Sequence, residues 1–317
     1  MCYVFRMTRF IYIADSHLGA GDSGYTMHPK FDEQLPVILA ALQSWIAENN
    51  PIDFILHGGD MIHETSVASI QAVSDHFDLP IPVFLCLGNH DLTAANAVDD
   101  WLRFAPDFFL AGSTDFAITT DDCMIHVMPN QYGPTPFHWE STQDSHFLEA
   151  QIETLEARIT SHPDATHLLQ THSPIHAIEP GQSGFAEPFH QPPESFTSAV
   201  VRLAEKHHIL CVLGAHSHIN SNRELNGVNY ITVSSFVETP FDFKLFEVGA
   251  DSLSMQTFNL WDRVGFRTDY NWNNTFVQGR SCDRAFDRTL EVVPEPENPK
   301  PQKEGPMAEV TVYHNPG

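Results

Sequence analysis

The sequence predicts an α/β protein: two mixed β-sheets face each other with helices on both outer sides, a four-layer α/β/β/α sandwich. Two observations carry that expectation. The first third alternates strand-length apolar runs with helical stretches, the pattern of a βαβ unit. The last third strings together short strand-like runs separated by turn residues, which suits antiparallel pairing.

Taken in order, residues 9–14, 53–57 and 82–87 are apolar, bounded by turn residues and read as buried strands. Between the first two, residues 31–49 set Leu35, Ile38, Leu39, Leu42 and Ile46 at helical spacing, and Pro51 stops the pattern. Residues 65–77 read as a second, weaker helix. A hairpin over Asp121 and Asp122 joins 116–119 to 123–128, residues 144–159 read as a helix and 166–171 as a strand. A helix at 195–207 leads into a strand at 209–213, and three successive antiparallel strands are expected at 228–234, 243–248 and 253–259. No repeat or linker breaks the chain before about residue 290, so one domain is expected over 7–290, with Met7 as the expected start. Residues 291–317, rich in Pro, Glu and Lys, are too poor in apolar side chains to pack alone. They are expected to be mobile, or docked on a neighbour in a homo-oligomer.

Composition narrows the partners. The 317 residues are 42% hydrophobic, enough for a substantial core. No run reaches the roughly eighteen apolar residues of a membrane helix, so no membrane partner is expected. Against 41 acidic residues stand 16 basic ones, a formal charge of −25 whose field repels a long nucleic acid. The five cysteines are irregularly spaced, which fits reduced thiols in the cytoplasm. Cys86, Cys123 and Cys211 lie in apolar runs and read as inert buried thiols.

The side chains able to bind a metal fall where strands end. Asp15-Ser16-His17 follows the first strand and Gly58-Gly59-Asp60 the second. Gly88-Asn89-His90-Asp91 follows the third, Thr171-His172-Ser173-Pro174 a later one, and Gly214-Ala215-His216-Ser217-His218 the strand ending at Leu213. In open α/β sheets the ligand crevice lies beyond the carboxyl ends of the strands, so these five loops should converge.

This run of D-x-H, G-D, G-N-H-D, H and G-x-H-x-H resembles the calcineurin-like metallophosphoesterase family, element by element and in order, over roughly residues 9–260. The resemblance implies the metallo-dependent phosphatase fold and a domain of that family over 7–290. It implies one metal held by Asp15, His17, Asp60 and His218, and a second held by Asp60, Asn89, His172 and His216, with Asp60 bridging. It also gives His90 a role at the leaving group or the phosphoryl oxygens, with Asp91 accepting its other N–H and keeping it protonated.

Carboxylate, amide oxygen and imidazole suit two divalent or trivalent ions, Mn, Fe or Zn. Two such ions sharing a water lower its pKa from 15.7 towards about 7 and supply a nucleophile at neutral pH. The expected substrate is a small phosphoester, a diester such as a cyclic nucleotide or a glycerophosphodiester. The alternatives are a phosphomonoesterase acting on nucleotides or proteins, and a catalytically silent metal-binding scaffold.

With 19 histidines, chance motifs must be weighed, but order and strand-end placement argue against chance. His162, His167, His207, His208 and His314 read as solvated or helix-end positions. His63 reads as a surface residue or one that orients a ligand, and Pro174 argues against His176 joining the cluster. The aromatic loop holding Asn130, Gln131, Tyr132, Phe137, His138 and Trp139, and the loop from Gly19 through Tyr25 to His28, are expected rims of a cleft. An arginine of the 261–288 segment could reach that cleft or pair with acidic neighbours.

Overall fold

The computed structural model describes residues 7–21, 26–268, 270 and 276–290. Residues 1–6, Tyr25, the 291–317 tail and His314 lie outside the described residues. In chain order the elements are β1 (Thr8–Ile13), α1 (Leu35–Glu48), β2 (Phe54–His57), α2 (Val67–His76), β3 (Val83–Leu85), α3 (Ala97–Phe104), β4 (Phe116–Thr119) and β5 (Cys123–Val127). Then come α4 (Glu149–Ser161), β6 (Thr166–Gln170), α5 (Pro180–Ser183), α6 (Glu194–Lys206), β7 (Cys211–Gly214), β8 (Ser221–Leu225) and β9 (Val228–Thr232). The last are β10 (Asp242–Gly249), β11 (Ser252–Asn259), α7 (Ser281–Arg284) and β12 (Ala285–Thr289).

These strands form two six-stranded mixed sheets, β12-β11-β10-β1-β2-β3 and β4-β5-β6-β7-β9-β8. Strand alternation assigns the layers. Leu168, Cys211, Leu213 and Ile231 of the second sheet share one core with Phe10 and Phe246 of the first. Their neighbours Leu169, Val212 and Tyr230 point the other way, onto Leu155 and Ile159 of α4 and Phe196, Val200 and Leu203 of α6. Between the sheets Phe10 stacks on Phe54 and Phe246 at 5.2 and 4.9 Å, and the Tyr12 hydroxyl donates to the Gly214 carbonyl at 2.8 Å. On the far side of the first sheet, Trp45 of α1 packs on Phe243 and Phe258. The expected sandwich is therefore the observed one, and β1, β2, β3, β6 and β7 all lead their carboxyl ends into loops on one edge.

Three expectations are corrected. Residues 144–148 are not helical: α4 starts at Glu149, because the Leu148 N–H is capped by the Gln151 side chain and His146 pairs with Gln131 instead. The three late strands are not neighbours in one sheet. β9 lies parallel to β7 in the second sheet, while β10 and β11 join the first. The chain manages this through β8, an edge strand too polar to read as one, paired to β9 over Asn226-Gly227, both at positive φ (51° and 76°). His167 is not solvated: it is buried on β6, and its ring bonds that of His126 at 3.1 Å. Helix α3 and strand β12 had no expectation attached.

Candidate active site

The five loops meet. Asp15, His17, Asp60, Asn89, His172 and His218 are all at most 4% exposed, and His216 lies beside them, half-buried. The backbone explains how side chains from opposite strands turn to one point. Asp15, His17, Asp60, His216 and His218 all adopt left-handed φ, between 41° and 63°. Each such non-glycine residue costs on the order of 1–3 kcal/mol and persists where the surroundings dictate it. Gly59, at φ 108°, has no room for a Cβ, which would meet His172 Nδ1 and the Gly88 backbone. A Cβ on Gly88 would meet Asp60 Oδ1.

Among the described residues three sets of ligand atoms converge, one of His17, His63 and His90 and two that include carboxylates, Asp15, His17 and His218 in one and Asp60, His172 and His216 in the other. Asp60 Oδ2 stands between the last two, 3.7 Å from His17 Nε2 and 3.2 Å from His172 Nε2. His17 Nε2 and His218 Nε2 are 3.2 Å apart, and His218 Nε2 is 3.8 Å from Asp15 Oδ1. The buried Asp15 Oδ1 and Asn89 Oδ1 have no hydrogen-bond partner among the described residues. Buried polar atoms without partners are costly unless a cation completes them.

The tautomers suit the same purpose. His172 Nδ1 donates to the Gly58 carbonyl at 2.7 Å and His218 Nδ1 to Glu238 Oε1 at 2.6 Å, so both aim Nε2 inward. Burial depresses His172, but Asp60 and Asp15 raise it to about 9; burial likewise depresses His218, but Glu238 and Asp15 raise it to about 9. Burial alone would raise Asp60, yet His172, His90 and His17 hold it well below the usual carboxylate range. Burial lifts Asp15 to about 7 and pushes His17 and His216 well down. Acids and imidazoles so placed fit a pair of cations, which would displace those protons on binding.

Beyond this cluster opens a cleft of about 240 Å³, walled on the far side by Met27, Gln143, His190 and Gln191. His90 lines it as well; its Nδ1 donates to the His63 carbonyl at 2.8 Å, and the His63 ring stacks on it at 4.6 Å. Asp91 does not take the role expected of it. Its carboxylate is buried and accepts the backbone N–H groups of Met61 and Ile62 at 2.9 and 3.2 Å and of Gly88 at 2.9 Å. It ties the second and third loops together, and His63 supplies the acceptor for His90. The aromatic loop does reach the site: Tyr132 packs against His172 and His216, and Trp139 against His90. His28 is buried, its N–H donating to Glu238 at 2.7 Å. His176 stays out of the cluster, and no arginine lines the cleft among the described residues. Arg263 pairs with Glu48 and Arg284 with Asp242 instead.

Four supporting residues had no sequence expectation or a vaguer one. Glu238, besides orienting His218, accepts the Met27 and His28 N–H groups, its one signal being a lone acid in an apolar stretch. Asn130 Oδ1 accepts from Thr171 Oγ1 and from the His172 and Ser173 N–H groups, fixing the fourth loop. His57 accepts the Gly59 N–H on Nδ1, so its Nε2–H donates to Ser16 Oγ at 2.8 Å, tying the first loop to the second. His190, at φ 52°, sets its ring 5.6 Å from that of His216. In a Glu238→Gln variant only one end of the amide accepts, so its NH2 meets either His218 Nδ1–H or the Met27 and His28 N–H groups, donor against donor. Metal affinity is expected to fall about 10- to 100-fold, read by competition with a chelator.

Comparison with known proteins follows the same lines. Residues 8–220 match the model of the calcineurin-like phosphoesterase family. The fold is similar to that of GAP50, the anchor in the inner membrane complex of Plasmodium (12% identity, 82% of this chain and 87% of that chain, TM-score 0.57). It is also similar to purple acid phosphatase PPD1 of yellow lupin, Lupinus luteus (13%, 91% and 58%, TM-score 0.56). A putative 5′-nucleotidase from Staphylococcus aureus shows the same likeness (16%, 86% and 58%, TM-score 0.51). The chain thus spans 58% of the length of each of the last two. A search of curated proteins finds no match. Among the described residues, no helix is long and apolar enough to cross a membrane.

Proposed function

The chain belongs to the calcineurin-like phosphoesterase family, and from that premise we propose that it is a two-metal hydrolase of a small phosphodiester, a cyclic nucleotide or a glycerophosphodiester. In this reading residues 7–290 form the catalytic unit and the protein works in the cytoplasm, where the buried thiols of Cys86, Cys123 and Cys211 stay reduced. Asp15, His17, Asp60 and His218 hold one ion, and Asp60, Asn89, His172 and His216 the other. Bound there, Mn, Fe or Zn supplies Lewis acidity at the phosphoryl oxygens and a water acidified enough to attack phosphorus near neutral pH.

The protein's own residues do the rest. Gly58 and Glu238 hold the His172 and His218 rings with Nε2 towards the centre. His90, its Nδ1–H donating to the His63 carbonyl, would act as an imidazolium, giving the Nε2 proton to the leaving oxygen and ending neutral. Tyr132 and Trp139 limit the water around these rings.

The observation that carries the choice of ester is the cleft's charge. Among the described residues no lysine or arginine lines it; its far wall is Met27, Gln143, His190 and Gln191. A monoester brings about two negative charges to such a site and a diester one, so a cleft with no lysine or arginine among the described residues to meet the second charge suits the diester. Two readings compete. A phosphomonoesterase is favoured by the names of the lupin phosphatase and the staphylococcal nucleotidase, and a silent scaffold by GAP50, which is named as an anchor.

The test is hydrolysis of bis(p-nitrophenyl) phosphate against p-nitrophenyl phosphate by protein loaded with Mn²⁺, Fe²⁺ or Zn²⁺. The proposal expects the diester to be turned over with the higher kcat/KM. The reverse order would make it a monoesterase, and no hydrolysis of either with any ion would make it a scaffold.

A further inference from the structure

A second cavity of about 220 Å³ lies at the other side of the loop that carries His172. One wall is residues 175–179, the continuation of His172-Ser173-Pro174; another is 221–223, which continues the loop of His216 and His218. None of its lining residues lines the catalytic cleft.

The chemistry of its lining is lopsided. Tyr230 is 3% exposed, and its hydroxyl has no hydrogen-bond partner among the described residues. The His176 ring packs edge-on against it at 4.8 Å, and His176 Nε2 is likewise buried without a partner. Burial keeps the phenol protonated, raising it to about 12, and lowers the imidazole to about 4, so both are neutral near pH 7. Two guanidiniums complete the lining. Arg223 uses NH1 on Glu179 at 3.2 Å, and Arg280 uses Nε and NH2 on the buried Asp283 at 2.8 and 3.0 Å. Each guanidinium carries five N–H donors, so most of their donors are left over, although each already faces one carboxylate, Glu179 for Arg223 and Asp283 for Arg280, and both side chains are about half exposed (49% and 55%).

We propose that this cavity is a binding site for a small oxyanion, a carboxylate or phosphate group taken by Arg223 and Arg280 with Tyr230 and His176 donating from below. Guanidinium forks match such planar or tetrahedral oxygens, and a buried phenol left without a partner is satisfied by one of them. In a protein of formal charge −25 a concentration of donors of this kind stands against the overall field. Because both walls run on from loops carrying His172, His216 and His218, an occupant would brace those loops from behind. The site stands whatever ester the metal centre cleaves.

The test uses the metal-loaded protein. Crystals soaked in tungstate should show anomalous density in this cavity, separate from any at the metal centre. In solution, calorimetric titrations with inorganic phosphate and with succinate separate the two sources of oxyanion; at least one should need a site besides the metal centre. Tyr230→Phe removes one hydroxyl from a packed ring and Arg223→Gln one exposed cation, and both variants should fold. Each should weaken the second site about fivefold or more while leaving kcat/KM for the diester unchanged. Tungstate at the metal centre alone, or a second site with the same affinity in both variants, would overturn the proposal.

Discussion

Replacing Asp60 with alanine is expected to strip the protein of both metals and to lower kcat/KM by about 10³-fold or more. Asp60 Oδ2 is the atom shared by the two imidazole sets, at 3.7 Å from His17 and 3.2 Å from His172. Its Oδ1 also accepts the His90 N–H at 2.8 Å, so the loss reaches the third loop too. Several kcal/mol of transition-state stabilisation come from a metal pair, and each 1.36 kcal/mol is a decade in rate. The fold should persist, since Asp60 contributes to no core cluster. Elemental analysis checks the prediction: an Asp60→Ala protein still carrying two ions per chain would show that the carboxylate is not their bridge.

His90→Ala is expected to do the opposite kind of damage, leaving metal content at the wild-type level while slowing turnover by about 10² to 10⁴. His90 lines the cleft beside Asn89 with its ring 4.8 Å from that of His17; its Nδ1 is held by the His63 carbonyl, and it is not among the residues proposed to hold either ion. A residue that protonates the leaving oxygen matters less as that oxygen becomes a better leaving group. Across a series of aryl phosphodiesters the deficit of the variant should therefore shrink as the phenol's pKa falls. An equal deficit over the whole series would move His90 from proton donor to phosphoryl binding.

Much of this arrangement was legible in the chain because its ligands sit beside strand ends and strand ends are marked by apolar runs. Asp15, Asp60, Asn89, His172, His216 and His218 each stand within a few residues of such a run. What stayed hidden depends on contacts between distant residues or on backbone conformation. Glu238 reaches His218 across 20 residues, and Asn130 reaches the His172 loop across 42. The left-handed φ of five site residues has no letter of its own, since aspartate and histidine enter that conformation more often than most residues but still do so uncommonly. Asp91 follows His90 directly, which made it the natural partner; its carboxylate instead goes to backbone N–H groups of the neighbouring loops. Strand β8 was missed because an edge strand facing water need not be apolar, although the Asn226-Gly227 pair is a hairpin signal that would have found it.

Anomalous diffraction at the Mn, Fe and Zn absorption edges from crystals of the metal-loaded protein is the most direct trial of the central claim. Two peaks are expected about 3.5 to 4 Å apart, one beside Asp15, His17 and His218 and one beside Asn89, His172 and His216, with the Asp60 carboxylate between them. A single peak, or none within reach of these side chains, would contradict a two-metal centre.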